Sequence, residues 1–161
     1  MAPVPIRPAT PADHAAIWAI LEPVIRAGET FALDRDMDRA AALAFWLANE
    51  AFVAEQDGAV VGTYYLRPNL AGGGAHVCNC GYMVAGHARG RGVARALCAH
   101  SLEQARGRGY RAMQFNCVVS TNERAVRLWQ AMGFAIVGRV PGGFDHPTRG
   151  LVDTLVMHQA L

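Results

Sequence analysis

The residues best suited to chemistry lie between Val84 and Arg95, in the run Val-Ala-Gly-His-Ala-Arg-Gly-Arg-Gly-Val-Ala-Arg. Arg89, Arg91 and Arg95 supply positive charge, while Gly90, Gly92 and the small Ala94 let a ligand approach the backbone. Apolar residues recur at helical spacing from about Gly92, so this loop opens a helix whose first turn carries unpaired N–H groups and the positive end of a dipole. Such an arrangement suits a diphosphate. The familiar nucleotide fingerprints do not fit. G-x-G-x-x-G fails at Arg95, where the third glycine would stand, and no G-x-x-x-x-G-K-[ST] occurs.

A second group of residues is polar where its surroundings are not. Asn79 and Asn116 interrupt apolar, strand-like runs, and a buried amide must find partners or lose about 1–3 kcal/mol. Glu29 and Phe31, in the irregular stretch 28–36, are positioned to line a cavity or to sit half-solvated. Phe144, Asp145 and His146 fall in a ten-residue stretch, Pro141 to Gly150, that reads as a loop long enough to be functional. Cys78, Cys80, Cys98 and Cys117 include one C-x-C but no second Cys/His pair at zinc spacing, so they read as reduced core thiols with no metal.

The elements that must position these residues follow from periodicity. Val4 to Arg7 is a short edge strand, and Thr10-Pro11-Ala12-Asp13 starts a helix whose Ile17, Ile20, Leu21 and Val24 share a face, with Pro23 expected to kink or end it. A second helix carries Leu43, Trp46 and Leu47 on one side. Ala51 to Gln56 and Val60 to Arg67 form a hairpin about Asp57-Gly58, and Gly72 to Gly74 form a flexible turn. His76 to Val84 feeds the arginine loop, with His76, Cys78, Cys80, Tyr82 and Val84 on one face and Val77, Asn79, Gly81 and Met83 on the other. The helix 92–106 buries Ala94, Leu97, Cys98, Ser101 and Ala105. Ala112 to Val119 then places Met113, Phe115, Cys117 and Val119 opposite Gln114, Asn116 and Val118. Strand, helix, strand makes a crossover, so the strands 76–84 and 112–119 are parallel neighbours. Ser120 to Glu123 forms a capping box for a helix carrying Ala125, Leu128, Trp129 and Met132, closed by Gly133. Phe134 to Val140 and Leu151 to His158 are two further strands, antiparallel to one another.

Composition narrows the classes. A chain of 161 residues with 52% apolar and 17% charged residues reads as one domain over 1–161, long enough to bury about 70% of its unfolded surface. The net charge of +2, with arginines clustered between Arg89 and Arg111, argues against a nucleic-acid partner. No apolar run approaches the ~20 residues of a membrane span and no secretory segment is evident, so a cytoplasmic location and no membrane partner are expected. A homodimer is compatible with the sequence.

Arg89-x-x-Gly92-x-Ala94 resembles the R/Q-x-x-G-x-G/A signature of the GNAT N-acetyltransferase superfamily, and Asn122-x-x-Ala125-x-x-Leu128-Trp129-x-x-x-Gly133-Phe134 resembles its second signature, N-x-x-A-x-x-L-Y-x-x-x-G-F. The resemblance extends to the element order and covers essentially the whole chain. It implies an α/β (α+β) fold, a mixed, mostly antiparallel twisted sheet with a central parallel pair splayed for coenzyme A and about four flanking helices. It further implies an N-acetyltransferase with acetyl-CoA as co-substrate, held by Met83, Val84, Arg89, Gly90, Arg91, Gly92, Val93, Ala94 and Asn122, with the Val84 backbone as oxyanion donor. Trp129 stands where many members carry a tyrosine acid. Indole N–H does not act as an acid at neutral pH, and the spacing of Trp129 places it in the core.

The run 115–134 and the segment Phe144-Asp145-His146-Pro147 resemble the fungal enzymes that acetylate proline analogues such as azetidine-2-carboxylate, in which two strand asparagines hold the substrate carboxylate. Asn79 and Asn116 match these. The expected partner is therefore a small amine, an amino acid or proline analogue, acetylated directly in a ternary complex. Phosphinothricin-like or protein N-terminal acetylation, and a non-catalytic acyl-CoA-binding module, are the competing readings. Glu29, His76, Asp145 and His146 are the candidate bases.

Overall fold

The computed structural model describes residues 3–161. In chain order the elements are β1 (Ile6–Pro8), α1 (His14–Ala27), α2 (Arg39–Trp46), β2 (Glu50–Gln56), β3 (Ala59–Pro68), β4 (Val77–Val84), α3 (Val93–Gly107), β5 (Ala112–Val119), α4 (Glu123–Ala131), β6 (Ala135–His146) and β7 (Gly150–Ala160). The strands form one sheet in the order β1-β2-β3-β4-β5-β7-β6, antiparallel throughout except for the pair β4 and β5. Asp57 and Gly58 both adopt positive φ, as the two-residue β2–β3 hairpin requires. This is the mixed sheet, with its parallel pair and four helices among the described residues, that the sequence led us to expect.

Each face of the sheet is covered by its own helices. On one side Tyr65 of β3 packs edge-on against Trp46, with ring centroids 4.9 Å apart, and Trp46 donates to Thr63 Oγ1 at 2.9 Å. On the other, a Cβ at Gly62 would fall 2.8 Å from Val93 and 3.0 Å from Leu97, so only glycine lets α3 lie this close to β3. Tyr82 of β4 points to the α3 side, its hydroxyl 2.7 Å from Ser101 Oγ. The alternation read from the sequence of β4 therefore holds, and it sets Asn79 and Gly81 on the α1/α2 face.

Several local expectations need correction. Pro23 does not end α1, which continues to Ala27 and closes at Gly28 with φ of 64°. The start read at Thr10 to Asp13 holds: Thr10 is the N-cap of a short 3-10 turn that opens with Pro11 and runs directly into α1, and the Asp13 carboxylate accepts from the Thr10 N–H at 2.8 Å and from the Arg7 guanidinium at 2.8 and 2.9 Å. The capping box expected at Ser120 is absent. Helix α4 opens at Glu123 behind Asn122, whose side chain makes no capping bond, and Glu123 instead pairs with Arg127.

The ten-residue loop from Pro141 to Gly150 is also overturned. Strand β6 runs on to His146, so only Pro147 to Arg149 connect it to β7. Pro141-Gly142-Gly143 reads as a breaker, but it sits in a bulge of an edge strand, where a missing N–H is tolerated and the Gly142 N–H bonds to Asp153 Oδ1 at 3.0 Å.

Candidate active site

The parallel pair is short. Strands β4 and β5 share only the register pairs Val77–Ala112 and Cys78–Met113, then diverge. Asn79 stands at the fork. It is 5% exposed, and its Nδ2 donates at 2.9 Å to the carbonyl of Gln114, the β5 group that would otherwise lose its partner where the strands separate. A bulge in β5 between Phe115 and Val118 carries that strand further away.

The backbone groups facing the opening follow from the antiparallel alternation of β3 and β4. Asn69 N–H bonds to Val77 O and Ala85 N–H to Val61 O, so odd-numbered residues of β4, Met83 included, spend their backbone groups on β3. Cys80, Tyr82 and Val84 aim theirs at the gap. Of the expected pair Met83 and Val84, the second therefore offers a free N–H, while the first contributes only its side chain to the wall.

At the far end of β4 is the glycine-arginine loop. Gly90 and Gly92 adopt φ of 80° and 81°, and α3 begins immediately after. The N–H groups of Gly90, Gly92, Val93, Ala94 and Arg95 have no backbone acceptor among the described residues. Arg89 and Arg95 line the same cleft. Arg91 does not: its N–H bonds to Ala88 O and its guanidinium turns outward to Asp57 at 3.6 Å, a correction to its expected place among the cofactor ligands. Arg124 of α4, which the sequence reading missed, lines the cleft instead, its Nη2 3.2 Å from where a Cβ on Gly90 would lie. Asn122 lines it too.

Loop and fork belong to one cleft of about 780 Å³ that passes between β4 and β5. Away from the loop it is lined by Asn79, Asn116 and Arg67, and Glu29 also borders it. Asn116 is exposed, accepting from Gln114 Nε2 at 3.0 Å and donating to Asn69 Oδ1 at 2.6 Å. Glu29 alone of the four candidate bases lines this cleft. His76 is exposed ahead of β4, at the closed end of the fork. Asp145 and His146 border a neighbouring hollow of about 450 Å³, separated from the cleft by the shared stretch Phe31 to Leu33. The Nδ1 of His146 accepts from the Thr148 N–H at 3.2 Å, so that nitrogen is already engaged within the chain.

Four thiols are free, and Cys117 corrects the expectation that all are core: the bulge in β5 breaks the alternation and leaves it exposed. Burial pushes the Cys98 thiol up to about 12 and Cys80 well above its ordinary value, and desolvation also raises Cys117. Cys78, fully buried and not lining the cleft, is instead shifted down by its hydrogen bond with Cys80, and neither thiol on the cleft, Cys80 or Cys117, is poised as a thiolate. Trp129 is 9% exposed, packed against Tyr82 at 5.0 Å and Phe115 at 5.3 Å between ring centroids, so it is a core residue with one edge on the cleft.

A splayed parallel pair with an anion-binding loop at one end is accompanied by a sequence match: residues 15–134 match the Acetyltransferase (GNAT) family. The chain belongs to it. Across 98% of both chains it resembles the structure of a GCN5-related N-acetyltransferase from Kribbella flavida, with 43% identity and a TM-score of 0.94. It is 25% identical, with a TM-score of 0.87 over 99% of this chain and 95% of the other, to yncA, a putative acetyltransferase from Salmonella typhimurium solved with acetyl-CoA. It is also 34% identical over 79 residues to the N-acetyltransferase aca1 of Schizosaccharomyces pombe, a match covering 49% of this chain and 38% of that protein's length. As a GNAT-family member the chain is an N-acetyltransferase whose co-substrate is acetyl-CoA. The site fits that molecule: five unpaired N–H groups and three guanidiniums suit its pyrophosphate end, and a gap lined by strand donors suits an extended, amide-bearing arm. No metal-ligating cluster occurs among the described residues, and no helix there is long and apolar enough to cross a membrane.

Proposed function

We propose that the chain transfers the acetyl group of acetyl-CoA directly to the nitrogen of a small amine, an amino acid or a proline analogue. The observation carrying this reading is the fork itself. An arm lying between β4 and β5 would meet the N–H groups of Tyr82 and Val84, and the Val84 donor is the one assigned to the developing oxyanion. Gly90, Gly92, Val93, Ala94, Arg89, Arg95 and Arg124 would hold the pyrophosphate, and Asn122 the pantetheine.

Direct transfer is favoured over an acetyl-enzyme because the thiols beside the cleft, Cys80 and Cys117, both have raised pKa values and are weak nucleophiles at neutral pH. Glu29 is the base the cleft retains, acting on the ammonium form of the acceptor directly or through one water. The coenzyme A thiolate needs little acid assistance, since thiols ionise near pH 8.5, so Trp129 in place of a tyrosine is compatible with turnover. Asn79 and Asn116 mark the acceptor end.

The test is to incubate the purified protein with acetyl-CoA and a panel comprising azetidine-2-carboxylate, proline, phosphinothricin and a peptide beginning with alanine, following thiol release and identifying products by mass spectrometry. Acetylation of a small amino or imino acid is expected. Acetylation of the peptide alone would refute the small-acceptor reading, and binding of acetyl-CoA with no acetylated product would refute the transfer.

A further inference from the structure

Arg67, on β3, lies at the acceptor end of the cleft and is half-buried. Its guanidinium lies over Tyr65, with Cζ 4.7 Å from the ring centroid, and 5.4 Å from that of Phe45. Its Nε donates to Asn79 Oδ1 at 3.3 Å. No carboxylate lies within 4.0 Å of it among the described residues, whereas Arg7, Arg26, Arg91, Arg108, Arg127 and Arg139 each have an acidic partner. Its Nη1 and Nη2 make no hydrogen bond there either, so the outer edge of the fork is left for a planar, bidentate anion.

The position suits the reaction. Arg67 reaches back over Tyr65, whose register partner on β4 is Gly81, one residue before the gap-facing N–H of Tyr82. An anion on this guanidinium sits on the α1/α2 face, beside the opening through which the acetyl group must be reached. In an α-amino or imino acid the nitrogen is separated from the carboxylate by a single carbon, so a carboxylate placed here brings the nitrogen to the gap.

We propose that Arg67 binds the carboxylate of the acceptor, and that Asn79 is a positioning residue that holds the guanidinium by its Nε instead of holding the acceptor itself. This rests on the N-acetyltransfer reading above and names the group that selects its substrate. Asn79 is already committed on both sides of its amide, to Gln114 through Nδ2 and to Arg67 and Tyr65 through Oδ1. The cation-aromatic stack keeps Arg67 in place while no anion is present.

The experiment compares wild type, Arg67→Met and Arg67→Lys on matched acceptors with and without the carboxylate: azetidine-2-carboxylate against azetidine, and proline against pyrrolidine. Melting curves and acetyl-CoA affinity establish that each variant is folded. Wild type is expected to prefer the acid of each pair by about a hundredfold in kcat/KM, the scale of a charge-assisted pair. Arg67→Met should lose that preference, its kcat/KM falling far more for the acid than for the plain amine of each pair, and Arg67→Lys should restore part of it. Equal losses on both members of a pair, or an unchanged preference, would overturn the proposal. If wild type acetylates no member of either pair, the transfer reading for these acceptors fails separately. Calorimetric titration of the coenzyme A-bound protein with proline then decides the role of Arg67. Binding that disappears in Arg67→Met supports it, and binding absent from wild type or unchanged in the variant refutes it.

Discussion

Replacing Val84 with proline separates the sheet from the chemistry. Proline removes one N–H and fixes φ near −65°, and a central strand tolerates it only where that N–H is not part of the ladder. The alternation set by the bonds from Asn69 to Val77 and from Ala85 to Val61 aims the Val84 N–H at the gap and the Met83 N–H at Thr63. Val84→Pro therefore costs no ladder bond, whereas Met83→Pro leaves the Thr63 carbonyl unpaired at about 1–3 kcal/mol. At about 2–4 °C per kcal/mol for a chain of this length, Met83→Pro should melt at least 2 °C lower from that term alone, with Val84→Pro the more stable of the two. The kinetic order should be reversed. If the Val84 donor meets the oxyanion, its loss should lower kcat by about 10²–10³-fold. If it serves only to hold the pantetheine, a net hydrogen bond of about 0.5–1.5 kcal/mol corresponds to a loss of roughly 2–13-fold in acetyl-CoA affinity with kcat retained. Scanning calorimetry and initial rates over an acetyl-CoA series measure all of these quantities. A folded Val84→Pro protein with wild-type kcat and wild-type acetyl-CoA affinity would refute the assignment of a gap-facing donor at this position.

Two further outcomes follow from the packing. Trp129→Ala should cost about 3–5 kcal/mol through the cavity it leaves between Tyr82 and Phe115, while Trp129→Phe should keep most of the turnover; a fully stable Phe variant slowed by about a hundredfold would give the indole a catalytic part. The Asp13 carboxyl is held well below its ordinary range, first by the Arg7 hydrogen bonds and then by Thr10, against an opposing desolvation. A folded-state pKa below the unfolded value of about 3.9 gives stability that is fully present above that value and lost as pH falls through the folded one. Melting temperature should thus fall with acidification below about pH 4, and Asp13→Asn should melt lower at neutral pH with a flatter acid limb; parallel melting curves for the two proteins would exclude this carboxylate as the cause.

The element order was legible because it depends on local periodicity. Ile17, Ile20, Leu21 and Val24, the Asp57-Gly58 turn and the alternation of β4 each fix an element without reference to the rest of the chain. Where an arginine points is set from a distance. Arg91 is diverted to Asp57, Arg124 reaches the Gly90 loop from another helix, and Arg67 is placed by Phe45, Tyr65 and Asn79 together, so no spacing rule could separate the arginines that line the cleft from the one that leaves it.

The misread strands failed for a different reason. In β6 the Pro-Gly-Gly stretch reads as a loop but is a bulge, and in β5 strict alternation buries Cys117 where a bulge exposes it. A bulge adds a residue to one strand without altering composition, so a period-2 reading passes through it unaware. The irregularity in β5 also has a consequence for the site. The pairing with β4 already ends at Cys78 and Met113, ahead of the bulge, so the N–H groups of Tyr82 and Val84 face the gap and Asn79 covers the Gln114 carbonyl while β5 remains paired to β7. The bulge that defeats the sequence reading of β5 falls on the wall of the cleft, where it leaves the adjacent Asn116 and Cys117 both exposed, as expected where local rules yield to function.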